Sequence, residues 1–463
     1  MKKWITLILS VGLSLSLFGI TLEESIALAR QNNKDLLMAE MEVSKADNQY
    51  YDVRGTLLPQ ISLQGGYSLS KTYLPDKVKN VTMPSVMDML DPTQATQHDW
   101  MLAGVLDGIT ENMVPTSPQE EGSLAMQLKM EQVLFLGGKL INGIKGVDRY
   151  RSIQRLQYSV KEQDVILQTT QLFYASLLAK KVVEIQEEAL ATARAHLNRI
   201  QIFESEGQIS EFELLRAQLE VAKMEPGLLK AENDYEMALE AFRKQIGAEG
   251  EDIVPEGEFV MPHIPELSLE EAQEIAMGER TELELLNIAT QIKELTFKAE
   301  RSNFMPNVAL NASASLFTAA DEYAIKKDDF GTQYSVGIGF SIPIFTGLSN
   351  SNKISYARHD LDMARLQEEN TRDLIRMQIK QNHHKLTHAM QNYEVHQQNI
   401  RMAERNLELA QLRYENQMGI QLEVFDAQTM LSSIKMQYIA AIYEVIAAER
   451  ELTKSIGYKL VSE

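Results

Sequence analysis

The chain has no cysteine. Disulfides, a cysteine nucleophile, thiolate metal sites and a lipidated N-terminal cysteine are therefore excluded. It also has no excess of positive charge: 45 Lys and Arg stand against 65 Asp and Glu, a formal charge of −20. That balance argues against binding nucleic acid, which needs a basic footprint, and against docking on an anionic lipid surface. Long apolar runs are missing beyond the first residues. Ile5 to Phe18 is apolar apart from a few small polar residues, but it is shorter than the ~20 residues that span a bilayer as a helix. Lys2 and Lys3 precede it and small residues lie near Ser16 and Gly19, so residues 1–19 read as a secretory signal peptide rather than an anchor. An exported chain without a membrane helix can cross lipid only with strands. No glycine-rich phosphate loop follows a strand, and no Gly-x-Ser-x-Gly or His-Glu-x-x-His motif is present. The chain reads as a non-enzyme with no cofactor.

What is present is organised around Lys139 to Glu206, which contains no proline. Ile153, Leu156, Val160, Leu167, Tyr174 and Leu177 recur at helical spacing and make one stripe. A helix of this length spans roughly 100 Å and needs partners along it, usually other long helices. Before it, Thr21-Leu-Glu-Glu24 reads as a capped start of one helix running to about Arg54. Pro59 ends that region, and Ile61 to Lys71 alternates apolar with polar residues, the period of a strand. Tyr73 to Gly122 has no clean period and reads as a long loop with a short helix near Trp100 to Leu106. Its methionines fit soft-metal ligands, but packing is their commoner use. Leu124 to Met130 alternates again, and Gly137-Gly138 marks a tight turn. After the long helix, Glu206-Gly207-Gln208 reads as a hairpin turn into a helix from Ser210 to Ile246, in which Pro226 predicts a kink.

The pattern then repeats. Thr21-Leu-Glu-Glu24 matches Ser268-Leu-Glu-Glu271, and Arg54 and Pro59 match Arg301 and Pro306, all displaced by 247. Strands at Val308 to Leu316 and Tyr334 to Ile342 lead to a second long helix from Asn350 to Met418. Phe135 to Gly138 aligns with Ile344 to Gly347, and Glu213 to Gln218 with Glu423 to Gln428. The domains read as residues 20–247, a proline-rich linker 248–267, and residues 268–463, each half ordered helix, strand, loop, strand, very long helix, helix. Each half carries two strands, and four strands cannot close a membrane barrel, whereas three copies would supply twelve. Alternation alone fits a soluble β layer beside helices equally well.

These residues carry a likeness. The chain resembles the outer membrane efflux protein family, the TolC-like channels of Gram-negative bacteria. The likeness rests on the two Leu-Glu-Glu helix starts and on Arg54-x4-Pro59 and Arg301-x4-Pro306. It rests also on Phe340-Ser-Ile-Pro-Ile-Phe-Thr-Gly347 and on Tyr414-x4-Gly419 with Leu422-Glu-Val-Phe-Asp-Ala-Gln428. The resemblance implies a mostly α fold with a transmembrane β-barrel part: an internally duplicated protomer in a homotrimer, whose twelve-stranded barrel continues as a long α-helical barrel in the periplasm. It implies an outer-membrane exit duct for efflux or type I secretion. The expected partners are outer-membrane lipid, a periplasmic adaptor (membrane fusion protein) and an inner-membrane pump of RND or ABC type, with no nucleic acid. By position in the family motif, Glu423 and Asp426 would form a periplasmic gate ring. They are three apart and share one helix face, so threefold symmetry would gather them about one axis. The turns Gly207-Gln208 and Gly419-Ile420 would contact the adaptor, and Arg54, Pro59, Arg301 and Pro306 would shape the helix-to-strand turns. The alternative from another class is a periplasmic or surface coiled-coil scaffold without a channel. His383, His384, His388 and His396 lie on one helix and read as a solvated face, so no metal site is assigned.

Overall fold

A computed structural model describes residues 19–73, 85–111, 119–259, 261, 262, 264, 267–318, 325–416 and 418–458. The signal peptide lies outside these residues apart from Gly19, as do Gln417 and parts of the loop between Tyr73 and Gly122. Helix α1 (Leu22–Asn32) starts with a capping box in which the Thr21 side chain accepts from the Glu24 amide and Glu24 reaches back to the Thr21 amide. The expected single helix to Arg54 is in fact two. Asn33 breaks it at φ −63, ψ 122, and α2 (Lys34–Gly55) follows. The cause is the Asn33 side chain, whose Oδ1 accepts from the amides of Asp35 and Leu36 while Nδ2 donates to the Gln245 carbonyl. The same break falls 247 residues later at Arg280, φ −70, ψ 119, between α6 (Leu269–Glu279) and α7 (Thr281–Arg301).

The remaining helices are α3 (Gln97–Glu111), α4 (Lys139–Ser205), α5 (Glu211–Ile246), α8 (Ser349–Glu415) and α9 (Gln421–Ser455). Helix α5 continues through Pro226. Among the described residues no helix is long and apolar enough to cross a membrane.

The chain divides into two compact units, each drawing on both sequence halves. One holds Met1–Tyr50, Lys145–Phe297 and Ser355–Glu463. Its centre is α4, 67 residues long. Arg151 pairs with Asp47 and Lys161 with Asp35, so α4 runs antiparallel to α2. The Ser176 hydroxyl donates to the Ala238 carbonyl and Arg194 pairs with Glu225, setting α5 antiparallel beside it. Gln171 meets Glu451, Glu188 meets Lys435, and His196 packs edge-on against Phe425, which places α9 on a third side. With partners on several sides, the buried stripe of α4 differs from the predicted one. Of the six named residues only Leu177 is buried. Val165, Ile166, Thr169, Thr170, Phe173 and Ser176 are the buried set around it. Threonine and serine can sit there because their hydroxyls return to helix carbonyls, as Thr169 does to Val165 at 2.7 Å.

Two apolar cores in this unit use matching positions. One contains Ala29, Leu36, Val165, Phe242 and Ile246; the other contains Ala276, Leu283, Ile375, Leu452 and Ile456. The first two pairs are 247 apart and the last three 210 apart. A short parallel sheet of β1 (Gly19–Ile20) and β4 (Val254–Pro255) closes beside the first core.

The other unit, Tyr51–Ile144 and Lys298–Ile354, is built on a four-stranded antiparallel sheet. Its strands are β2 (Gln60–Thr72), β3 (Gln119–Leu136), β5 (Asn307–Thr318) and β6 (Phe330–Ser341), in the order β2-β3-β5-β6. This corrects the expected fold. The strands form an open sheet with β2 and β6 as its edges, and the other sheet is open too, so the described residues contain no closed barrel. Four strands are too few to bring the first edge round to the last.

Register makes each face of the sheet uniform. Leu63, Leu128, Ala314 and Tyr334 align across one face, as do Ile61, Met130, Ala312 and Val336; Ser62, Lys129, Ser313 and Ser335 align on the other. The serine pairs Ser68–Ser123 and Ser313–Ser335 bond at 2.8 Å on the polar face. The apolar side is open: Leu63 is 64% exposed and Val336 79%.

The turns into the long helices correct the repeat alignment by one residue. Gly137 and Gly138 have φ +60 and +91; the matching residues are Gly347 and Leu348 at +61 and +66. Leu348 thus holds a left-handed conformation that costs a non-glycine residue about 1 kcal/mol. The two first glycines differ in surroundings. A Cβ at Gly137 would lie 2.4 Å from Met305 Cβ and 2.8 Å from the Ser302 carbonyl, whereas at Gly347 nothing lies within 4 Å. Gly347→Ala should therefore cost only the left-handed penalty, about 1–2 kcal/mol, and Gly137→Ala at least about 2 kcal/mol more. Denaturant unfolding of detergent-solubilised protein measures both; equal costs would show that Met305 yields freely.

Candidate functional site

The two helical hairpins end in turns of different construction. At the first, α4 stops because Gly207 takes φ +71. The Gly207 amide donates to the Glu204 carbonyl and the Gln208 amide to the Phe203 carbonyl, both at 2.8 Å. That pair of bonds is a Schellman motif, and it needs glycine at its left-handed position. Gly207 and Gln208 are both exposed.

At the second turn the Met418 amide donates to the Arg413 carbonyl at 2.8 Å. Gly419 is not in the left-handed region, so the expectation that it turns the backbone needs another physical account. It permits close approach instead. A Cβ there would stand 2.9 Å from Glu423 Oε2 and 3.2 Å from Arg413 Cβ. Arg413 closes the turn, donating from Nη2 to the Met418 carbonyl at 3.3 Å and lying 3.5 Å from Glu423 Oε2 through Nη1. Ile420 is the N-cap of α9 and offers no side-chain cap. Ile420 and Met418 are 59% and 69% exposed, and Phe212 beside the first turn is 67% exposed. Both turns therefore present large apolar side chains to the outside.

The acidic pair sits at the start of α9. Glu423 occupies the first turn, where the helix dipole favours negative charge. It is half-buried, and Asp426, one turn on, is exposed. The equivalent positions of α5 carry Glu213 and Arg216, an acid and a base, so only the second hairpin places two carboxylates on one face. The remaining sequence-picked residues lie in the sheet unit. Arg54 is in the last turn of α2 and Pro59 directly precedes β2; Arg301 is the last residue of α7 and Pro306 directly precedes β5. These are not brought together with the acidic pair.

Sequence reasoning missed what packs behind the acidic pair. Phe425 is buried against His196 of α4, ring centroids 5.1 Å apart at 85°, and His196 also meets Tyr414 of α8 at 5.3 Å. Leu190, Ala193, Ile200, Ala217 and Val221 complete that core. Burial, followed by the charge of Glu213, pushes the Tyr414 phenol above its ordinary value, and Arg199 opposes this. The only sequence signal for this cluster was a histidine at helical spacing from Ala193 and Ile200. Of the other histidines, His383 Nε2 lies 3.2 Å from the Leu267 carbonyl, while His384 and His388 are exposed. Among the described residues no three metal-binding side chains converge.

The profile described as outer membrane efflux protein matches residues 25–248 and 285–458. The chain is 22% identical over 344 residues to the outer membrane efflux protein BepC of Brucella suis, covering 74% of this chain and 73% of that protein. It is 20% identical over 485 residues to the outer membrane protein TolC of Escherichia coli, covering 99% and 87%. Among solved structures it is similar in fold to the CmeC outer membrane channel of Campylobacter jejuni, with a TM-score of 0.74, 17% identity, and 96% and 87% of the two chains covered.

The two glycines at the turns separate by amide exchange. Gly207→Ala should speed exchange at residues 207 and 208 about tenfold, since strain of about 1–2 kcal/mol falls on their bonds. Gly419→Ala should leave those amides alone and displace the Glu423 side chain instead. Unchanged exchange in Gly207→Ala would show that the left-handed turn is not what holds the end of α4.

Proposed function

The chain belongs to the outer membrane efflux protein family, and from that premise we propose how its parts serve a duct. It is the outer-membrane exit duct of an efflux or secretion system, a conduit and not an enzyme. Our reading is that it works as a homotrimer, with lipid against the apolar face of the four-stranded sheet and the long helices forming a periplasmic part.

One observation carries this reading: a sheet face rich in Leu, Ile, Val, Met and Tyr, much of it exposed, backs onto a face rich in Ser, Gln and Lys. An apolar surface of this kind is unusual on a soluble monomer. Lipid on one side and water on the other account for both faces, and a scaffold without a duct accounts for neither. The unpaired edges of β2 and β6 also call for neighbours, since lipid cannot satisfy free backbone groups.

At the other functional element, Gly207, Gln208, Gly419 and Ile420 are assigned to contact with a periplasmic adaptor, which links the duct to an inner-membrane pump of RND or ABC type. The exposed Phe212, Met418 and Ile420 support this, because apolar side chains at a turn suit a packed partner. Glu423 and Asp426 are assigned to the gate. Copies gathered about a threefold axis would repel one another and favour cations. Opening would require the start of α9 to move outward.

Planar-bilayer conductance of the purified full chain tests the reading. The wild type should conduct with a cation preference. E423A/D426A should raise the closed-state conductance or weaken divalent-cation block about tenfold, a change of ~1.4 kcal/mol in block free energy. Unchanged conductance and block would remove the acidic pair from the gate. A detergent-independent monomer that never conducts would remove the duct.

A further inference from the structure

Unpartnered polar atoms in the helical unit concentrate behind the acidic pair. Among the described residues, nine buried side-chain polar atoms have no hydrogen-bond partner, and five of them belong to His196, Gln421, Glu423 and Gln428. His196 Nε2, both amide atoms of Gln421, Glu423 Oε2 and Gln428 Oε1 make up the five. His196, Gln421 and Gln428 are only 6%, 4% and 7% exposed. Buried polar groups are almost always paired, so a cluster of exceptions marks a packing that functions at some cost in stability. All four residues lie where α9 begins or on the α4 face that meets it.

His196 is the one member whose partner helices both change if α9 moves. Its ring stands edge-on to Phe425 of α9 and to Tyr414 of α8. Both contacts are with aromatic rings and neither is with a carboxylate, and His196 Nε2 has no hydrogen-bond partner. The charged groups around it agree. On its own helix Arg199 is the nearest, and Arg199 is turned to Glu415 of α8 at 3.7 Å. On α9, Glu423 faces Arg413 at 3.5 Å. On α5, Glu213 acts on Tyr414.

We propose that His196 is a proton-operated latch on the gate: neutral, its ring seats the first turn of α9 through Phe425; protonated, it releases that turn. The proposal rests on the reading that opening moves the start of α9 outward, and it adds a regulator that the acidic pair does not contain. Burial, followed by the charge of Arg199, holds His196 down to about 4, against an ordinary value of 6.5. A group depressed in the closed form stabilises that form fully above the ordinary value. The contribution is lost as pH falls from about 6.5 toward about 4. If the opened tip restores the ordinary value, acidification from pH 7 to pH 5 favours the opened form about twentyfold for each His196.

Two measurements on the full-length protein test this. Ring-labelled histidine NMR in detergent, with H196F identifying the signal, should place the His196 midpoint near 4 in the closed form. A midpoint near 6.5 overturns the latch. Single-channel recording from pH 7 to pH 5 should give a rise in open probability of at least about twentyfold for the wild type and less than about twofold for H196F. H196Q, polar but without a proton-binding ring nitrogen, should behave like H196F, and it stands in if the phenylalanine variant does not assemble. E423Q/D426N should lose cation preference yet keep the acid response. An acid response that survives in H196F and H196Q but vanishes in E423Q/D426N assigns it to the carboxylates and overturns the latch. Loss of the response in H196F with an unaltered cation preference in E423Q/D426N keeps the latch and overturns the acidic ring. No conductance in any variant at any pH overturns the duct itself, and the latch with it.

Discussion

A helix of 67 residues is not held by its own hydrogen bonds alone and needs partners along its length. Everything in the helical unit answers that constraint. Helix α4 is covered by α2, α5 and α9, each antiparallel to it, and the register with α9 holds from Gln171–Glu451 to His196–Phe425. The ion pairs along these seams are mostly half exposed and so worth little individually. They set register, while the cohesion comes from Val165, Phe173, Phe242 and Ile246, each contributing roughly 1.5–3 kcal/mol by leaving water.

The sheet unit answers a second constraint, the pairing of backbone groups along its strands. Antiparallel register pairs every described strand interior and sorts side chains by face, so that one surface is apolar from β2 to β6 and its reverse is polar. The single chain leaves the two outer strands unpaired and the apolar surface bare.

At the hairpin turns the demands of folding and of function pull apart. The first turn is a settled helix end, with glycine in the left-handed region and both hydrogen bonds made. The second is built around an arginine that spans the turn and a glutamate that accepts no hydrogen bond through its buried oxygen. Behind it lie polar side chains without partners. An element that has to move is more easily moved if its resting packing is not optimal. The contrast between the turns is a physical reason for proposing the gate at the second hairpin rather than the first.

Much of this was legible in the chain itself. Two long proline-poor stretches, four alternating segments and matching Leu-Glu-Glu and Arg-x4-Pro sites reveal the helices, the strands and their recurrence, because those signals depend only on local period and capping. Glu423 and Asp426 were legible as a shared helix face for the same reason. What required tertiary structure involves long-range partners. The break at Asn33 depends on a carbonyl of Gln245, more than two hundred residues away. The left-handed Leu348 moves the repeat alignment by one because the backbone, not the side chain, is what recurs. Gly419 exists for Arg413, and His196 matters because Phe425 and Tyr414 arrive from two other helices. The open sheet, in place of a closed wall, is likewise a property of how many strands one chain can bring together. A sequence fixes period and propensity within a few turns; which distant atoms meet is settled only when the whole chain has packed.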